Sequence, residues 1–130
     1  VVALSKTNAE TETQKIGGIM GAAVFFTEAI GVEPEKAFRC AVQEASYAHG
    51  HEGYTGSIAE KDKFNLITLP KGKDAYEFAN QLVDNGDPRV DDKWGPAGCI
   101  DITDTSRGYE KKQKLAEDQR IYLFFGWASE

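Results

Sequence analysis

The sequence predicts an α+β fold of two layers, a mainly antiparallel sheet of about four strands with helices on one face, and three observations carry that expectation. Helical and strand-like segments follow in the order helix, helix, strand, strand, helix, strand, strand, which is not a regular strand–helix alternation. The polar "EKDK" between two strand-like runs is a hairpin-sized connection. No G-x-G-x-x-G or Walker A sequence occurs, which argues against a dinucleotide or P-loop framework.

Each element has a local reason. Thr11 or Thr13 can cap a first helix running towards Ile30, although its run of small residues lowers helix propensity, and a strand within "GGIMGAAVFF" stays open as the alternative. "EPEKAFRCAVQEASYAHG" reads as the second helix, with Pro34 in its first turn and Ala37, Phe38, Ala41, Val42 and Ala45 on one apolar face. "YTGSIA" and "FNLITL" read as paired strands, although Ser57 to Glu60 also fits a capping box. "KDAYEFANQLVDNG" is a third helix with Asn85-Gly86 as its stop signal. "AGCIDI" and "RIYLFFGWA" are the last two strands, separated by a long charged connection, and the second is apolar enough to be buried on both faces or at a subunit contact.

With 130 residues, the chain fits a single domain over 1–130, and 41% hydrophobic residues place it away from disorder. A net charge of −6 disfavours nucleic-acid binding by the surface as a whole. The longest apolar run, Ile16 to Phe26, is too short to span a bilayer, so no membrane partner is expected. Cys40 and Cys99 are too few for a disulfide framework and are expected as two buried thiols in a reducing compartment.

The stretch "HGHEGYTGSIAEK", His49 to Lys61, holds both histidines of the chain. His49 and His51 beside Glu52 can ligate a divalent metal, with Asp91, Asp92 or Asp101 as further ligands, yet two histidines alone do not define a site and no cofactor is favoured. Tyr54, Thr55 and Ser57, with the neighbouring glycines, can instead offer hydroxyls and backbone amides to a phosphate. A histidine with Tyr54 and a carboxylate can also serve acid–base chemistry. Against all three stands a simpler expectation, that Gly53 and Gly56 shape a turn and the histidines do no chemistry. Elsewhere, "DNGDPRVDD" lacks the calcium-loop pattern and reads as a solvated turn. "RGYEKKQK" is the only basic cluster, and Arg107, Tyr109 and Lys111 within it can grip a phosphate-bearing ligand.

The segments "HGHEGYTGSIAEKDKF", "DKWGPAGCIDI" and "FFGWA" resemble parts of small uncharacterised proteins encoded by bacteriophages. That resemblance implies an accessory protein of the bacterial host cytoplasm that binds a host protein or sequesters a nucleotide signal. The resulting expectation is a non-enzymatic, homo-oligomeric binding protein for a small phosphorylated ligand or a host protein, whose surface combines the His49–Lys61 loop, Trp94, Gly95 and the Arg107–Lys114 segment. Two alternatives stay open: a small metal-dependent or acid–base enzyme using the histidine loop, and a structural or assembly protein without a pocket.

Overall fold

A computed structural model describes residues 21–49 and 55–130. Among them, strand β1 (Ala22–Gly31) leads into helix α1 (Pro34–His49), and a single 3₁₀ turn (Ile58–Glu60) precedes strand β2 (Phe64–Leu66). Helix α2 (Ala75–Asp84), strand β3 (Ala97–Asp101), helix α3 (Ser106–Lys112) and strand β4 (Arg120–Ser129) follow. The strands form one sheet in the order β1-β4-β3-β2. Strand β4 is antiparallel to both β1 and β3, and only β2 runs parallel to its neighbour, β3. The fold is therefore α+β with a mostly antiparallel sheet of four strands, as the sequence predicts.

The expected first helix is, over the residues described, strand β1, and residues 1–20 lie outside the described part. Val24, Phe25, Phe26 and Thr27 are strand formers, and β1 pairs with β4 along its whole length, from Ala22 opposite Ser129 to Gly31 opposite Arg120. The alternation that would mark a strand is blurred because both faces are apolar: Phe25 and Ala29 enter one core cluster, while Phe26 packs against the other.

The predicted hairpin of "YTGSIA" with "FNLITL" does not form. Ser57 caps a 3₁₀ turn instead, its Oγ accepting from the Ala59 amide at 3.2 Å, and Lys61 N–H closes the turn on the Ile58 carbonyl. Strand β2 then runs parallel to β3, joined to it through α2, so the chain contains one βαβ unit that the irregular element order conceals.

Helix α1 starts at Pro34 and α2 is capped by Asp74, whose carboxylate accepts from the Glu77 amide. Ala37, Phe38 and Ala41 of α1 pack with Phe25, Cys99, Tyr122 and Phe124. Ala75, Ala79, Leu82 and Val83 of α2 pack with Ile100, Ile121, Leu123 and Phe125. Because successive residues of a strand point to opposite sides, these two clusters lie on opposite faces of the sheet. Helices thus cover both faces, not one, which corrects the layer count and accounts for the apolar run of β4 without a subunit contact.

Cys99 is buried, but Cys40 is exposed, contrary to expectation. The α1 stripe of residues 37, 38 and 41 leaves position 40 turned outward, where its Sγ lies 3.8 Å from a Glu44 oxygen. The long connection before β4 also contains α3, which begins at a Thr105 cap.

Candidate functional site

Of the residues that the sequence proposes as a site, His51, Glu52 and Tyr54 lie outside the described residues, as does the side chain of His49, which ends α1. The metal expectation on His49 and His51 lies there too. Among the described residues no group of three or more histidine, cysteine, aspartate or glutamate side chains is placed to hold a metal ion.

Thr55 and Ser57 are committed to internal hydrogen bonds. The Thr55 amide and hydroxyl both donate to Glu60 Oε2, at 3.1 and 2.8 Å, and the two hydroxyl oxygens of Thr55 and Ser57 are 2.7 Å apart. The other Glu60 oxygen accepts from the Ser129 hydroxyl at 3.3 Å, anchoring the turn to the end of β4. Gly56 has φ of +67°, donates its amide to the Ser129 carbonyl, and would place a Cβ 3.1 Å from that of Ala23. Over the residues described, this segment is a turn stitched to the sheet rather than an open anion cradle.

Lys61 is buried, with its ammonium donating to the carbonyls of Asp92, Lys93 and Gly95 at 3.3, 3.2 and 2.9 Å. Burial lowers its pKa, against the opposing pull of Asp92 and Asp62. All three of its donors are thereby used, and the loop bearing Trp94 is fastened to the 3₁₀ turn. Trp94 is exposed, with the Lys93 ammonium 5.4 Å from its ring centroid. The structure therefore brings Thr55, Ser57 and Trp94 into one region.

It does not bring the basic segment there. Lys111 pairs with Glu28, whereas Gly56 sits beside Ala23, five positions earlier on β1 and on the opposite face. At the rise of a strand that is about 17 Å along the sheet. Lys112 is spent as well, donating to the carbonyls of Ala116, Glu117 and Gln119. Tyr109 is exposed on α3, and the Arg107 side chain is not among those described. Among the described residues, then, Thr55, Ser57 and Trp94 lie in one region and Lys111 in another.

A cleft of about 1120 Å³ opens elsewhere, at the carboxyl ends of β2 and β3. One wall is the β2–α2 connection, with Thr68, Lys71, Gly72 and Lys73, and the other includes Asp104 and Thr105. Asp101, the last residue of β3, and Tyr122, opposite it on β4, complete it. In sheets with parallel βαβ units this end of the strands is the usual ligand crevice, because the loops leaving the strands diverge there.

The charges lining the cleft differ in how far they are committed. The Asp101 carboxylate accepts from Arg120 Nε at 2.7 Å and from the Thr103 hydroxyl and amide at 2.6 and 3.0 Å. Burial alone pushes this carboxyl up, but those hydrogen bonds and the guanidinium charge together outweigh it and hold the pKa below its ordinary value. The same guanidinium reaches Asp104 at 3.3 Å, and Asp74 is occupied as the α2 cap. Lys71 and Lys73 form no ion pair among the described residues and are exposed.

A depressed carboxyl pKa means that the unfolded chain takes up this proton first. The stabilisation from Asp101 is therefore complete above its unfolded value of about 4 and is lost as pH falls through the lower folded value. Asp101→Asn should flatten the decline of the thermal midpoint between about pH 5 and pH 2. An acid limb as steep in the variant as in the wild type would remove Asp101 from that account.

No protein-family model, curated protein or solved structure matches this chain. The sequence carried a faint signal for the cleft: "PKGKD" follows a strand-like run and opens a helix with Asp74 as its cap. That signal is recognisable only once β2 is known to run parallel to β3. No helix among the described residues is long and apolar enough to cross a membrane.

Proposed function

We propose that this protein is a non-enzymatic binding protein for a small phosphorylated ligand, taken up in the cleft at the carboxyl ends of β2 and β3. The observation that carries this reading is the pair Lys71 and Lys73, two ammonium groups without an ion-pair partner among the described residues, on the loop of a βαβ unit beside a cleft of small-molecule size. It keeps the ligand class expected from the sequence and moves the site, because Lys111 and Lys112 of the basic segment are already engaged.

Binding is favoured over catalysis by the state of the nearby reactive groups. The Cys99 thiol is pushed up to about 12, first by burial and then by the Asp101 charge, which leaves it inert as a nucleophile. Asp101 is held ionised by partners that leave it little capacity as a proton shuttle. The resemblance of three segments to phage proteins adds a context, sequestration of such a ligand in a host cell.

Calorimetric titration with pyrophosphate at low ionic strength tests the reading. The double variant Lys71→Gln/Lys73→Gln should bind roughly tenfold or more weakly than wild type, the loss expected for two charge-assisted hydrogen bonds, and Lys111→Gln should bind as wild type does. Equal binding by the double variant and the wild type, or absence of binding to the wild type, overturns it.

A further inference from the structure

Tyr122 is 3% exposed, lines the cleft, and its hydroxyl has no hydrogen-bond partner among the described residues. Buried hydroxyls are normally paired, so a group of this kind at the lip of a cleft is a place where a ligand atom completes the pairing. Its neighbours define what can approach. Asp101 stands opposite on β3, and Asp104, 93% exposed at its side chain, has an Arg120 contact of only 3.3 Å, leaving its oxygens with spare accepting capacity. The ammonium groups of the cleft thus lie on the β2–α2 loop, beside the Asp74 carboxylate that caps α2, while Asp101, Asp104 and the Tyr122 phenol lie at the β3–β4 end.

An anion alone would satisfy only the first part. A ligand that satisfies both carries a phosphate at one end and hydroxyl groups at the other, the hydroxyls donating to Asp104 and exchanging a hydrogen bond with Tyr122. Resting on the binding reading above, we infer that the cleft selects phosphorylated sugars, including the phosphoribosyl portion of a nucleotide, and that Tyr122 is the residue that reads the sugar hydroxyls.

The test compares ribose 5-phosphate with inorganic phosphate by calorimetric titration of wild type, Tyr122→Phe and Asp104→Asn. The wild type should bind ribose 5-phosphate at least tenfold more tightly than phosphate, and Tyr122→Phe should forfeit roughly five- to tenfold of that gain while binding phosphate unchanged. Asp104→Asn should reduce the same gain. Tyr122→Phe removes no hydrogen bond among the described residues, so its thermal midpoint should equal or exceed that of the wild type, which separates a recognition role from a structural one. If phosphate binds but ribose 5-phosphate binds no tighter, or if Tyr122→Phe retains the whole gain, the sugar-reading role is wrong while the cleft survives as an anion site. If neither probe binds the wild type, both readings fall.

Discussion

Replacing Phe124 by alanine should cost about 3–5 kcal/mol of folding stability. Phe124 is fully buried at the middle of β4, and its ring meets those of Phe38, Phe64 and Tyr122 with centroids 5.5, 5.7 and 6.5 Å away. Those partners come from α1, β2 and β4 itself, so the cavity left by truncation is bounded by three elements that are each fixed by other contacts and cannot collapse together. Against a total stability of about 5–15 kcal/mol for a domain of this size, the loss is a large fraction. Urea denaturation should show a midpoint lowered by about 1 M or more with an unchanged slope. Tyr109→Ala, on the exposed side of α3, should stay within about 0.5 kcal/mol of the wild type. A Phe124→Ala loss below about 1 kcal/mol would mean that the aromatic cluster is not the rigid centre of the α1 face.

Gly108→Ala should destabilise the protein by about 3 kcal/mol or more, the upper end of what overpacking costs. The sign is informative, because glycine to alanine inside a helix ordinarily stabilises it by up to about 1 kcal/mol. A Cβ at Gly108 would sit 1.9 Å from the Ile102 carbonyl oxygen and 2.8 Å from Thr103 Cα. Both are backbone atoms immediately after β3, so no side-chain rotation relieves the clash. Either α3 lifts away, taking with it the Thr105 cap and the Lys111–Glu28 pair, or β3 shifts against β4. Gly72→Ala supplies the contrast: its Cβ meets nothing within 4 Å, and its φ of +81° sets a cost of only about 1–2 kcal/mol. Denaturant midpoints of the two variants measured side by side settle the matter, and a Gly108→Ala protein as stable as the wild type would show that α3 does not lie this close to β3.

The candidate site was less legible than the fold. Lys71 and Lys73 stand in an ordinary turn sequence, and their value depends on β2 running parallel to β3, which places the turn at the carboxyl end of two strands. Tyr122 lies within an apolar run where a tyrosine reads as core, and only the lack of a hydroxyl partner among the described residues sets it apart. The basic segment Arg107 to Lys114 draws notice as a charge cluster, but its Lys111 serves Glu28 and its Lys112 three loop carbonyls. Net composition cannot reveal such commitments, since an ion pair joins residues far apart in the chain.

Local chemistry determined what the sequence by itself could specify. Pro34 and Asp74 set the starts of α1 and α2, the stripes of alanine and phenylalanine set their buried faces, and apolar runs set β3 and β4. Tertiary structure decided the rest. β1 is a strand because ten residues of β4 are available to pair with it, and a segment with apolar residues on both faces carries neither period of its own. The 3₁₀ turn at Ile58 holds because Glu60 and Lys61 find partners at Thr55, Ser129 and the Asp92–Gly95 carbonyls. The two-sided sheet, and with it the cleft, depends on where α2 crosses between β2 and β3, a choice made by long-range packing that no short window of sequence contains.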